Sequence, residues 1–386
     1  MQFLGKKIRW RVLPISLLVF SSLWFGFEQG QKTAGLLALQ QRDYAKALEL
    51  FSAIGYESGI GGVYLALNQP DEAIKHYQAA NDASGLGLSF CQKRDFKTAL
   101  TYFQTAKDDS GCGLAYLGLR DEVNAKEHFT RANDWSGLGL LHLAKKNYAE
   151  AERCFNQVQD FSGLGLTSLK QKKYADAVRY FQQAQDTSGL GLTALAAQNH
   201  KKAAEYFLSN HDLAGLGYAF MNMGNPRKAY QRFIAANDLD GLGDLYSRQR
   251  AFGKAREMFE KDNNPLKVIQ SYRNDYTLSE KFQRAIAYGQ KAVAAGRMVP
   301  ECLMEMADVH YELGQIDQAI AALDQAASHP GYESEAHLFK GRIYFYQRQL
   351  DQAKAEFQQV KPDDFSGETR YAEAQASLKD ITAYQG

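Results

Sequence analysis

Eight glycine pairs of the form Gly-x-Gly are the residues whose spacing could bind an anion. The first glycine of each pair recurs with a constant 26-residue period, without insertion or deletion. At a helix N-terminus such glycines let backbone N–H groups approach a phosphate, but none of these pairs is followed by a P-loop lysine. Glycine also lets two helices pack closely, because it has no side chain. We therefore predict structural glycines of a repeat: Gly59, Gly85, Gly111, Gly137, Gly163, Gly189, Gly215 and Gly241.

The other reactive side chains form no catalytic pattern. The four cysteines show neither a Cys-x-x-Cys pair nor regular spacing, and Cys112 takes the place held by Leu86 and Leu138 in neighbouring units. The eight histidines include no His-Glu-x-x-His motif. Acidic candidates such as Asp121 and Glu122 fall in a polar turn. The sequence predicts no enzymatic activity, no cofactor and no metal site.

The apolar spacing within one unit is helical. In the unit 84–109, Phe96, Ala99, Phe103 and Ala106 are separated by steps of three, four and three residues, which place them on one helix face. A shorter apolar segment precedes them, beyond a polar turn. Asp108 lies just before the short helix of the next unit and is a good N-cap residue. Each unit is therefore predicted to be a short helix, a turn and a second helix.

This hairpin resembles the tetratricopeptide repeat (TPR). The resemblance is carried by the large–small–aromatic spacing of Leu86, Gly87, Phe90, Phe96, Ala99, Phe103 and Ala106. It implies an all-α, right-handed α-solenoid superhelix of stacked helical hairpins. The family has a longer, 34-residue repeat, so these 26-residue units are shortened, and the shortening falls at the junction between units. Short Sel1-like repeats are a related alternative.

The repeat changes length near residue 264. Nine short units are predicted in 33–264, and three full-length units in 265–361, where Ala285, Ala319 and Ala353 follow the longer, 34-residue period. A capping helix and tail are predicted in 362–386, as the end of a solenoid requires.

The N-terminus has the pattern of a membrane anchor. Residues 1–11 carry basic side chains and no acid, residues 12–27 carry no charge, and 28–32 form a short polar connector. We predict a cytoplasmic basic tail followed by a single transmembrane signal-anchor, with the repeats periplasmic or otherwise extracytoplasmic. A cleaved signal peptide is the alternative.

The net charge of the chain gives no preference for an anionic partner. It contains 45 basic and 44 acidic residues, a formal charge of +1, so nucleic acid is not expected as a partner.

The resemblance also implies where partners bind. In TPR proteins the first helices line the concave surface, which takes an extended or helical peptide. In the full-length units this surface corresponds to Gln270, Asn274, Met304, Asp308, Tyr311, Leu338, Arg342 and Phe345. Met304 and Leu338 depart from the family's carboxylate clamp, which argues against an adaptor for chaperone C-termini.

The short units carry two leucine rows on the same face. One row contains Leu88, Leu114, Leu140, Leu166 and Leu192, and the other contains Leu117, Leu143, Leu169 and Leu195. Either the shortened junctions wind the superhelix so tightly that the first helices pack on one another, or the rows line an open apolar groove.

These features predict a membrane-anchored protein–protein interaction scaffold of the cell envelope, which docks partner proteins on its repeat surface. It could assist the assembly of an envelope, pilus, secretion or exopolysaccharide complex. The alternative is a lipid- or polysaccharide-binding module that uses an apolar concave groove.

Overall fold

The protein is an array of short helices. The computed structural model describes residues 15–361 and 368–385, and within them it contains 25 helices and no strand. In the short units the helices are α1 (Ile15–Gln40), α2 (Tyr44–Ala53), α3 (Glu57–Ala66), α4 (Pro70–Ala79), α5 (Ala83–Gln92), α6 (Phe96–Ala106), α7 (Asp109–Gly118), α8 (Glu122–Arg131), α9 (Trp135–Ala144), α10 (Tyr148–Gln157), α11 (Phe161–Lys170), α12 (Tyr174–Gln183), α13 (Thr187–Ala196), α14 (His200–Ser209), α15 (Leu213–Asn222), α16 (Pro226–Ala235), α17 (Leu239–Arg248) and α18 (Phe252–Lys261). In the full-length units and the cap they are α19 (Pro265–Asn274), α20 (Lys281–Ala294), α21 (Val299–Glu312), α22 (Ile316–Ala327), α23 (Glu333–Tyr346), α24 (Leu350–Gln358) and α25 (Glu368–Gln385).

A 13-residue step, half of the 26-residue period, governs the short units. From Arg42 to Asn263 a residue with positive φ recurs at this step, and the next residue is the N-cap of the following helix. Aspartate or asparagine fills most of these N-caps and accepts a hydrogen bond from the third helical N–H. The turn inside a unit and the junction between units therefore have the same geometry.

Aromatic rings hold the units together. The Phe155 ring lies between Gly139 of its own unit and Gly163 of the next unit. A Cβ added at either glycine would lie 2.5 Å or less from a ring carbon. The same sandwich recurs along the array, where Phe103 lies between Gly87 and Gly111. Each Gly-x-Gly pair therefore packs against two rings: its first glycine contacts the ring of the preceding unit, and its second glycine contacts the ring of its own unit.

The first helices of the units form the inner layer. Consecutive first helices such as α5 and α7, or α11 and α13, lie against one another, whereas consecutive second helices make no comparable contact. Helices that follow the shorter circumference of a curved array are the closer pair, so the first helices line the inside.

The array winds until it meets itself. The Asn68 side chain donates to the Asn237 carbonyl 169 residues later, and the Asn237 side chain donates back to the Asn68 carbonyl. One winding therefore takes 169 residues, which is six and a half short units. We call this contact between the first and second windings the seam.

The C-terminal helix α25 covers the last full-length unit. Ala374 and Ile381 of α25 are buried in one cluster with Leu338, Phe357 and Val360. Residues 362–367 and 386 of the predicted cap and tail lie outside the described residues. Within them, α25 is a helix packed against the end of the array.

The N-terminal segment is only partly within the described residues. Residues 12–14 of the predicted signal-anchor lie outside them, and the remainder enters α1. Within the described part of the chain, we find no helix that combines the length and the apolarity needed to cross a membrane. The predicted connector 28–32 is helical and continuous with the first short unit.

Candidate functional site

The inner wall is one candidate surface, and it is apolar. Along the first leucine row, Leu88, Leu140 and Leu192 keep 44%, 37% and 46% of their surface exposed, although they lie on the inner helices. Leu114 and Leu166 between them are half-buried. We define the inner wall by these five leucines.

The second leucine row lies deeper. Leu143 is buried, and Leu117, Leu169 and Leu195 are half-buried in the clusters between units. The leucine rows were predicted either to pack between first helices or to line an open apolar groove, and the structure combines the two arrangements. The first helices pack along the axis, and the first leucine row still faces the inside of the winding.

The width of the inside follows from the winding. Six and a half first helices spaced by about 9 Å form a ring of about 60 Å circumference, and the helix axes then lie about 9–10 Å from its centre. Subtracting a helix radius of about 5 Å from this distance leaves a bore roughly 8–10 Å in diameter. A further helix with its side chains is about 10–12 Å across. One extended chain therefore fits this bore better than a helix does.

The seam is the second candidate surface, and it is polar. Arg42, in the turn of the first unit, donates from Nη2 to Ser188 Oγ at 2.9 Å, and its Nη1 lies 3.6 Å from Asp212 Oδ2. Arg94 occupies the same turn position two units later, and its Nη2 lies 3.7 Å from Asp262 Oδ2. Basic turns of the first winding thus meet acidic junctions of the second.

Burial shifts one seam carboxylate. The pKa of Asp262 is raised to about 6, chiefly because burial disfavours its charged form; Arg94 lowers it in part, and Asp240 and Asp238 raise it. Asp262 therefore titrates near pH 6, because its pKa lies above the ordinary range of an aspartate.

Arg120 extends the seam to the full-length units. Its Nη1 lies 3.5 Å from the Gly331 carbonyl and from Glu335 Oε2, and its guanidinium lies 4.2 Å from the centre of the Tyr332 ring. Gly331 is 211 residues further along the chain, a larger offset than that of Asn68 and Asn237, because the full-length units change the register.

Several cavities open along the seam. One of about 680 Å³ lies between the first units and the junctions of the second winding, and its walls include Tyr44, Leu67, His211 and Leu213. Another, of about 320 Å³, lies beside Asn68 and Asn237, and one of about 290 Å³ lies beside Phe96. All three depend on the seam being closed.

Several residues of the partner-binding face predicted in the full-length units contact other residues of the chain. Gln270 donates to Glu305 at 3.3 Å, Asp308 pairs with Arg273, and Arg342 pairs with Glu373 of α25. The remaining predicted residues divide into buried Leu338, exposed Asn274, and half-buried Met304, Tyr311 and Phe345.

The structure also places the residues that could carry chemistry. Each of the eight repeat glycines lies against an aromatic ring, at a distance that leaves no room for a side chain. Among the described residues, no cluster of three histidine, cysteine or acidic side chains could hold a metal ion. Sequence reasoning missed the seam, although arginine at turn positions 42, 94 and 120 was a visible signal.

A solenoid of stacked helical hairpins, with the first helices inside, is the class of fold that this geometry defines. Residues 304–369 match the tetratricopeptide repeat family model, and the chain is a TPR-like repeat protein. No curated protein matches it.

Solved structures with similar helical arrays include three that contain TPR-repeat proteins. Yeast Tom70 aligns with a TM-score of 0.45 and 12% identity over 92% of this chain and 96% of that one. The APC/C hetero-tetramer Cut9–Hcn1 gives 0.38 and 14% over 95% and 86%. The human IFIT1 dimer with PPP-AAAA gives 0.41 and 14% over 84% and 80%. Likeness at this level says nothing about what this chain binds.

Proposed function

We propose that the protein is a scaffold whose inner wall receives an extended apolar segment of a partner protein. The supporting observation is the exposed leucine row of Leu88, Leu140 and Leu192 on the inside of a tightly wound array. Leucine exposed in a row favours an apolar partner. The TPR-like fold supports a polypeptide partner, and the narrow bore favours an extended segment over a helix.

The face of the full-length units continues this surface in the proposal. Asn274 is exposed there, and Tyr311 and Phe345 are half-buried, so they offer polar and aromatic contacts at the far end of the same inner layer. Arg342 and Asp308, which pair within the chain, would have to exchange those pairs to contact a partner.

The membrane anchor predicted at 12–27, the extracytoplasmic location of the repeats and a role in an envelope assembly belong to the same proposal. Their support is the uncharged segment that follows a basic N-terminus. Extraction of membranes with alkaline carbonate tests the anchor: an integral protein stays in the pellet, whereas release into the supernatant contradicts it.

Site-specific photo-crosslinking tests the inner wall. A benzophenone side chain replaces Leu140 on the inner wall or, as the control, Val123, which is exposed on the outer helix α8. We expect discrete protein adducts from position 140 and few from position 123. Equal adducts from both positions contradict the proposal. Lipid or glycan adducts at position 140 alone would favour the lipid- or polysaccharide-binding module.

A further inference from the structure

The acidic edge of the first winding continues beyond the seam, and there none of the described residues covers it. The N-caps of the first helices lie at this edge, and the four that directly precede Asp212 are Asp108, Asp134, Asp160 and Asp186. Among the described residues, none of these four carboxylates pairs with a basic side chain, whereas the next N-cap, Asp212, does. The edge that receives Arg42 thus extends around the winding without a partner.

Each carboxylate at this edge is held in a fixed position. Asp160 Oδ1 accepts from the Gly163 N–H at 2.8 Å, and its Oδ2 accepts from Ser136 Oγ of the preceding first helix at 2.8 Å. We call such a serine–aspartate pair a rung. The other uncovered rungs are Ser84–Asp108, at 2.9 Å, and Ser162–Asp186, at 3.1 Å.

A fourth rung of the same form already binds an arginine. Ser188 Oγ donates to Asp212 Oδ2 at 3.4 Å and also accepts from Asn210 Nδ2 at 2.8 Å, and Arg42 reaches both side chains of the rung. The chain therefore shows which side chain this site accepts: a guanidinium, which donates to the serine oxygen and lies against the carboxylate. Guanidinium groups suit such sites because they present several donors in a fixed plane.

We propose that the uncovered rungs dock an extended segment of a partner protein in which arginine recurs every third residue. Neighbouring inner helices are about 9 Å apart. An extended segment in the polyproline II conformation advances about 3.1 Å per residue with three residues per turn, so every third side chain faces the same side, about 9 Å further along. An Arg-x-x-Arg repeat therefore places guanidinium groups on the neighbouring rungs of Asp160 and Asp186 and on the rung of Asp108, two inner helices before Asp160. The intervening arginine faces the N-cap carboxylate of Asp134. This surface lies on the edge of the winding and is distinct from the inner wall.

A second copy of the chain is the less suitable occupant. Its basic turns could in principle continue the seam, since Lys172 and Arg250 hold the same turn position as Arg42. However, α1 has 26 residues, against 10 in the other first helices of the short units. Because α1 ends at the turn of Arg42, its additional length projects from the acidic edge, by about 24 Å at 1.5 Å per residue. It would obstruct a whole winding stacked there but not a single extended strand.

Fluorescence anisotropy on the full-length protein tests the proposal. The probe is a labelled (Arg-Gly-Ser)₄ peptide, compared with a peptide of the same composition whose four arginines are consecutive. The variant Asp108→Asn/Asp160→Asn/Asp186→Asn removes three charges and retains the capping oxygen, because asparagine caps helices as well as aspartate does. The control Asp43→Asn/Asp95→Asn/Asp121→Asn makes the same change at N-caps on the opposite edge.

We expect the edge variant to bind the spaced peptide at least tenfold more weakly, and the control variant to bind it within twofold of the parent. Consecutive arginines should bind more weakly than spaced ones. Equal binding of both peptides, or an equal loss in both variants, would overturn the proposal in favour of nonspecific charge attraction. Self-association in sedimentation velocity that the edge variant abolishes would overturn it in favour of a second copy. Photo-crosslinking at position 140 is independent of these outcomes.

Discussion

Substitution of one repeat glycine tests the packing that sets the 26-residue unit. In Gly163→Ala the new Cβ would lie 2.3 Å from Phe155 Cδ1 and 2.5 Å from Cε1. The ring cannot retreat, because Gly139 packs against it from its own unit at a similar distance. Overpacking of this kind costs about 1–3 kcal/mol. We take the upper end, because backbone on both sides confines the ring.

Alanine offsets part of that cost. It is a better helix former than glycine by about 1 kcal/mol, so the net loss of unfolding free energy for Gly163→Ala is about 2 kcal/mol. Gly253→Ala in α18 is the matched control, because the nearest atom to its new Cβ is the end of the Arg256 side chain, 3.9 Å away. There the same substitution should stabilise the helix by up to about 1 kcal/mol.

Urea unfolding followed by circular dichroism gives the difference between the two variants. Hydrogen exchange resolved by peptide should place the loss in α10 and α11, since a solenoid opens locally. Shortening the ring with Phe155→Leu should reduce the penalty of Gly163→Ala, which a double-mutant cycle measures. Equal stability of Gly163→Ala and Gly253→Ala would refute the sandwich as the determinant of unit spacing.

Three further predictions concern the inner wall and the seam. Leu141→Asp should unfold its units, because Leu141 is buried. Leu140→Asp, one residue away on the exposed row, should keep the parent's circular dichroism spectrum and lose the partner adducts. Unfolding of both variants would show that the inner wall is part of a closed core. Arg42→Ala/Arg94→Ala should loosen the seam and raise the radius of gyration measured by X-ray scattering. The control Arg153→Ala/Arg179→Ala, which removes two surface ion pairs, should leave this radius unchanged. An unchanged radius in the seam variant would contradict the idea that the seam holds the two windings together. Because the pKa of Asp262 is raised to about 6, the folded state binds its proton more tightly than the unfolded chain, so stability falls as pH rises from the ordinary carboxyl pKa to about 6. Asp262→Asn should therefore raise the melting temperature relative to the parent at pH 8 and give no increase at pH 4, whereas an equal increase at both pH values would contradict the assignment.

The local structure of the repeat was visible in the sequence, and its curvature was not. The spacing of Phe96, Ala99, Phe103 and Ala106 predicts a helix, and that helix is α6. The seam depends on a small rotation between units that accumulates over 169 residues, and no pattern within one unit specifies that rotation. Arg42 and Asp212 are unremarkable as single residues; only their meeting across the windings gives them a role.

The uniform step explains why the array closes, and the change of repeat length explains where closure ends. Turns of one geometry recur at a constant 13-residue step, so nearly the same rotation and translation relate each helix to the one before it. Repeating one such rotation and translation gives a regular superhelix. Asn68 and Arg94 accordingly meet junctions at the same offset along the chain, about 169 residues. Arg120 instead meets Gly331 at an offset of 211 residues, because the longer units break that regularity. The full-length repeats thus end the regular register of the seam, so the basic turns after Arg120 have no junction at the regular offset. Among the described residues, no turn lies above the acidic edge before Asp212.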